Sequence, residues 1–144
     1  MKEVTLNSVK ETKSFSEEFA RKTPKGTIIA LIGNLGSGKT TFAQGFALGL
    51  GIQDSVISPT FKLVSEYEGL DQALYHIDCY RLDTPLDFIN IGGENYINPD
   101  NGITLIEWAE RIKPFWTDDW VFIHFNRVSE NPNARLIKIS GRVD

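Results

Sequence analysis

A chain of 144 residues is the size of one ordinary domain and is long enough to bury a core. Hydrophobic residues make up 41% and charged residues 24%, which excludes a disordered, collagenous or coiled-coil chain. Fifteen Lys and Arg against nineteen Asp and Glu leave a net charge of −4, the wrong sign for a protein that grips nucleic acid unaided. With one cysteine, Cys79, and two histidines, neither an internal disulfide nor a Cys/His zinc site is expected, and a reducing cytosol is the expected compartment. The polar segment Met1 to Phe15 is unlike a signal peptide. The longest apolar run, Ile28 to Ile32, is far short of the ~20 residues that span a bilayer, so no membrane association is expected. A single domain over 1–144 is expected.

In chain order, Ser8-Val9-Lys10-Glu11 has capping-box spacing, with Phe15 and Phe19 four apart behind it, which predicts a helix over 9–22. Thr27 to Ile32 is apolar and β-branched without polar alternation, the pattern of a strand buried on both faces of a parallel sheet. From Lys39 to Leu50, Phe42, Phe46 and Leu50 recur every fourth residue, and Gly51 is placed to end a helix. Segments 61–67 and 74–80, separated by Gly69-Leu70-Asp71-Gln72, predict an antiparallel hairpin. Pro85 to Ile89 predicts a short helix, and 90–102 predicts mostly loop. Segment 103–106, ending at Glu107-Trp108, reads as another buried strand. Segments 121–125 and 136–139 complete the set with two C-terminal strands.

Between the first strand and its helix lies Gly33-Asn34-Leu35-Gly36-Ser37-Gly38-Lys39-Thr40, which matches G-x-x-x-x-G-K-[ST] at every defined position. Glycines allow a fold tight enough that successive N–H groups face phosphate oxygens. The helix behind adds its unpaired N–H groups and the positive end of its dipole. Lys39 supplies a charge for the β- and γ-phosphates, and the Thr40 hydroxyl is placed to ligate Mg²⁺. A glycine turn that happens to precede a helix is the bland alternative, and the strand-to-helix context argues against it. The element order therefore predicts an α/β fold of the P-loop NTPase kind, a three-layer sandwich with a mixed, mainly parallel sheet and an antiparallel hairpin.

Turnover needs a carboxylate across the cleft, at the end of a neighbouring strand. Glu107 ranks first as metal or water ligand, with a helix-start carboxylate as its structural alternative. Asp78 ranks second, with an ion pair to Arg81 as its alternative. Ser58 and Thr60, in Ser58-Pro59-Thr60-Phe61, stand where nucleotide-binding folds often sense the γ-phosphate, and an ordinary turn fits them equally. Trp108 reads as core more readily than as a cover for nucleotide or a partner contact. His76 and Cys79 read as packing. The absence of an Asn-Lys-x-Asp tetrad favours adenine over guanine.

The ordered set GNLGSGKTTF (33–42), SPTF (58–61), YHIDCYRL (75–82) and EWAERI (107–112) closely resembles the bacterial TsaE family, also called YjeE, over nearly the whole chain. The resemblance implies a small Mg²⁺-dependent P-loop ATPase, slow alone and stimulated by partners. Those partners are TsaB and TsaD, with which it supports threonylcarbamoyl modification of adenosine 37 in tRNA. It implies ATP contacts at Gly33, Leu35, Gly36, Ser37, Gly38, Lys39, Thr40 and Thr41, magnesium on Thr40 and Glu107, and catalytic roles for Lys39, Asp78 and Glu107. Trp108 would serve turnover or partner contact, and tRNA would be met only through the complex, which suits the acidic charge. Asn34 stands where the family often has an acid, and Cys79 where an aliphatic residue is common. Ser8, Thr12 and Arg135 are candidates for contacting adenine. Two other readings of the loop are a small-metabolite kinase, against which stands the lack of an arginine-rich lid, and a module that binds nucleotide without cleaving it.

Overall fold

The computed structural model describes residues 2–34, 36–53, 56 and 63–141. In chain order it runs β1 (Lys2–Leu6), α1 (Val9–Lys22), β2 (Ile28–Ile32), α2 (Lys39–Gly49), β3 (Val64–Glu68), β4 (Ala73–Asp78), α3 (Leu86–Asn90), β5 (Gly102–Glu107), β6 (Val121–Val128) and β7 (Asn131–Gly141). Two 3-10 segments, Gly93–Tyr96 and Ala109–Phe115, lie in the connections around β5.

Apolar residues on successive positions of β2 divide between the two faces of the sheet, as the period of a strand requires. Ile29 and Leu31 join one core with Phe42, Phe46, Leu105 and Ile123. Ile28 and Ala30 join the other, with Ile77, Phe88, Ile106, Ile112 and Trp120. The first face is covered by α1 and α2, and the second by the thinner layer of α3 and the 3-10 segment at 109–115. That is the expected three-layer sandwich.

The strands form one seven-stranded sheet in the order β1-β7-β6-β2-β5-β4-β3. Parallel pairing holds at the centre, where β6, β2, β5 and β4 run side by side, and antiparallel strands flank it on both sides. The β3–β4 hairpin is one flank, with Val64 opposite Ile77. It starts later than expected, and 61–62 lie outside the described residues. The other flank was only partly anticipated. β6 and β7 extend well beyond their apolar centres, and β1 pairs antiparallel with β7. As an edge strand, β1 buries Leu6 and half-buries Val4 while Lys2, Glu3 and Thr5 stay exposed, so its hydrophobic signal is weak.

Helix α1 covers 9–22, with the Ser8 hydroxyl accepting the Glu11 backbone N–H at 3.1 Å, the capping contact the sequence predicts. Small residues set its distance from α2. A Cβ on Gly45 would lie 2.6 Å from the Lys13 carbonyl oxygen, and one on Gly49 would lie 2.8 Å from the Ala20 Cβ. The two helices therefore touch along a glycine seam, which brings Phe19 within 6.0 Å of Phe42 in an edge-on ring contact. No helix among the described residues is long and apolar enough to cross a membrane.

The seam generates a test. Gly45→Ala raises intrinsic helix propensity by about 1 kcal/mol, yet overpacking of a tight contact costs about 1–3 kcal/mol. The expected outcome in urea unfolding is a lower midpoint for Gly45→Ala. A higher midpoint would show that the seam has room to spare.

Candidate functional site

The loop between β2 and α2 is shaped by sterics before chemistry enters. Gly36 and Gly38 have φ of +74° and +107°, a region that side chains disfavour. A Cβ on Gly33 would lie 2.7 Å from Ser37 Oγ and 2.9 Å from the Phe125 carbonyl oxygen. The Ser37 N–H donates across the loop to the Asn34 carbonyl at 3.0 Å. Ser37 is only 2% exposed, and its buried hydroxyl has no hydrogen-bond partner among the described residues, which is uncommon and costly unless a ligand supplies one. Thr41, the third residue of α2, is half-buried. Leu35 lies outside the described residues, as do Ser58 and Thr60.

Lys39, the first residue of α2, is 4% exposed. Its Nζ donates to the Gly33 carbonyl at 2.5 Å and sits 3.7 Å from the centre of the Trp108 ring. Burial pulls the ammonium below its ordinary pKa, while Glu107, Glu110 and Asp78 pull it back up. A buried cation turned back on its own loop, beside an unsatisfied hydroxyl at a helix start, is the environment of an anion site.

Parallel pairing delivers the acids. β5 lies beside β2 with Glu107 opposite Leu31, and β4 lies beside β5 with Asp78 opposite Glu107. Both carboxylates therefore stand at the same end of the sheet as the loop, where open α/β sheets bind ligands. The Thr40 hydroxyl points at Glu107 Oε1 across 3.5 Å, a long contact, near the spacing of two adjacent oxygen ligands of one cation. The Asp78 carboxylate accepts the Tyr80 backbone N–H at 2.9 Å, which closes the strand end. Among the described residues no group of three His, Cys, Asp or Glu forms a metal site. A hydroxyl and one carboxylate oxygen suit a cation that takes its remaining ligands from phosphate and water.

The reading of His76 as packing needs correction. Its Nε2 lies 2.5 Å from Glu107 Oε2, and the imidazole is fully buried. Its Nδ1 has no partner among the described residues, so the contact with Glu107 is what orients the ring. Alternation along β4 puts 74, 76 and 78 on one face, which the sequence could show, but only the register of the sheet sets that face beside 103, 105 and 107 of β5. Cys79 packs as expected, and burial pushes its thiol up to about 12. Trp108 does more than fill core. It packs partly on the second core, but it has φ of +57°, and its ring faces Lys39 and lies 4.9 Å from that of Tyr80. Glu110 is not singled out in the sequence, and its buried Oε1 is without a hydrogen bond among the described residues.

Of the three residues considered for adenine, Ser8 and Thr12 are engaged in the first turn of α1, where the Thr12 hydroxyl donates to the Ser8 carbonyl at 3.2 Å. Arg135 reaches the phosphate loop instead, donating to the Ser37 and Gly36 carbonyls at 2.9 and 3.1 Å.

Comparison with known proteins agrees with this geometry. The family model "Threonylcarbamoyl adenosine biosynthesis protein TsaE" matches residues 6–137. A Synechocystis protein named tRNA threonylcarbamoyladenosine biosynthesis protein TsaE is 42% identical over 113 residues, 76% of this chain and 71% of that protein. One of the same name from Rickettsia typhi is 36% identical over 135 residues, 93% of this chain and 92% of its own length. The crystal structure of YdiB from Bacillus subtilis superposes with a TM-score of 0.81 at 30% identity, covering 97% of this chain and 84% of that one. The chain therefore belongs to the TsaE family of threonylcarbamoyl adenosine biosynthesis proteins.

Proposed function

We propose that this protein is a Mg²⁺-dependent ATPase, weak alone and stimulated by TsaB and TsaD, whose turnover supports tRNA threonylcarbamoyladenosine formation at position 37. The observation that carries the reading is the buried Lys39 ammonium held on the Gly33 carbonyl, one helical step from a Thr40 hydroxyl that faces Glu107. Phosphate oxygens would take over the Lys39 ammonium and the Ser37 hydroxyl, each of which is better satisfied by an anion than by its present surroundings. Thr40 and Glu107 Oε1 would hold Mg²⁺, which supplies neutralisation of charge on the β- and γ-phosphates.

Each protein group has one task in this reading. The loop N–H groups and Lys39 bind and orient the triphosphate, and Trp108 shields the lysine from water. His76 holds Glu107 by Oε2 so that Oε1 faces Thr40. Asp78, at the next strand end, orients the attacking water. The chain's acidic balance, −4, suits a protein that meets tRNA only through its partners.

Phosphate release with and without TsaB and TsaD tests the reading. Lys39→Ala should lose nucleotide binding and turnover together. Glu107→Gln should keep ATP binding within a few-fold while turnover drops about 100-fold or more. Equal phosphate release by the native chain and Lys39→Ala would refute the proposal.

The His76 contact makes a separate prediction, because partners one shell out from a ligand group typically matter about 10–100-fold. His76→Leu should lower kcat by that order, and His76→Gln, which keeps a donor, should recover part of it. A leucine variant that turns over normally would reduce His76 to packing.

A further inference from the structure

Arg127 on β6 and Arg135 on β7 are cross-strand partners at the end of the sheet where the phosphate loop lies. Their guanidinium groups converge on the outer side of that loop. Arg127 Nη2 donates to the Gly36 carbonyl at 3.1 Å. Arg135 Nε donates to the Ser37 carbonyl at 2.9 Å, and its Nη2 donates to the Gly36 carbonyl at 3.1 Å. Arg135 is itself pinned, since its Nη1 donates to the Pro132 and Ala134 carbonyls, both at 2.7 Å. Arginine is suited to this work, having five donors in a rigid fork and no acceptor.

The consequence follows from the trans peptide. The C=O and N–H of one peptide unit point opposite ways, so drawing the Gly36 and Ser37 carbonyls outward turns the Ser37 and Gly38 N–H groups inward. The Ser37 N–H points across the loop, where the Asn34 carbonyl holds it at 3.0 Å, a bond that a phosphate oxygen would replace. The arginines lie close against the loop backbone: a Cβ built on Gly36 would meet Arg127 Nη2, and one on Gly38 would be in ordinary contact, 3.4 Å, with Arg135 Nε. A glycine-rich loop samples many conformations when untethered.

We infer that Arg127 and Arg135 are positioning residues for the phosphate chain of a nucleotide: they hold the loop by its carbonyls so that its N–H groups face the phosphates before ligand arrives. This rests on the nucleotide-binding reading above and extends it. The two arginines read neither base nor ribose, and they act through the loop backbone. Removing them lowers the fraction of molecules with a competent loop, and apparent affinity falls by that fraction.

The test uses the full chain with Mg²⁺ and two probes, ADP and inorganic pyrophosphate, titrated calorimetrically. Arg127→Ala/Arg135→Ala should raise Kd for both probes by about tenfold, and KM for ATP should rise by the same factor. Arg135→Lys, which has the charge without the fork, should recover only part. Circular dichroism melting checks that the variants are folded, and if the double variant does not fold, the exposed Arg127→Ala alone serves, with a smaller rise in both constants. Two results overturn the inference alone: unchanged Kd values in a folded variant, or a loss confined to ADP, which would make the arginines readers of the nucleoside. A native chain that binds neither probe overturns the inference and the nucleotide reading together.

Discussion

The arrangement depends on one constraint: a lysine ammonium is buried at the start of α2, where no free water shell can solvate it. Taking a charge out of water costs several kcal/mol unless it is compensated. Here the compensation is partial, from the Gly33 carbonyl, the Trp108 ring and the field of three acids. Among the described residues only the carbonyl and the ring touch the ammonium directly, and in the proposed function a phosphate chain completes its compensation. The loop glycines answer to backbone and packing: Gly36 and Gly38 have positive φ, and a Cβ on Gly33 would press on Ser37 Oγ and the Phe125 carbonyl.

Sheet topology turns that local feature into a site. β2, β5 and β4 are adjacent and parallel, so the loop, Glu107 and Asp78 emerge side by side at one end of the sheet. Behind them, His76 is fully buried and commits one oxygen of Glu107, leaving the other toward Thr40. From the opposite side, the antiparallel β6 and β7 bring two arginines to the outer face of the loop. The supports thus come from both sides of the loop: His76 from β4, and the two arginines from β6 and β7.

Much of this was legible in the sequence wherever local chemistry determines local structure. The Ser8 cap, the unbroken apolar run of β2, the phosphate loop and the periodic phenylalanines of α2 each declare themselves within a few residues. What stayed hidden depends on partners distant in the chain. β1 becomes a strand because β7 is available to pair with it, and its own alternation is too polar to show this. Gly45 and Gly49 look like poor helix residues until α1 is seen lying against them. His76 looks like a core histidine until β5 sets Glu107 beside it, and the hold of Arg135 on the loop shows only once β7 is in place. Glu107 and Asp78 were legible as strand-end acids, whereas their adjacency is a property of the sheet.

The most direct test of the buried ammonium as the organising charge is a crystal structure with Mg²⁺ and a non-hydrolysable ATP analogue. The account predicts that the Lys39 ammonium leaves the Gly33 carbonyl for the phosphates, that Ser37 Oγ gains a phosphate partner, and that the cation lies between Thr40 and Glu107 Oε1. An analogue bound away from residues 33–41, with Lys39 still on Gly33, would contradict it.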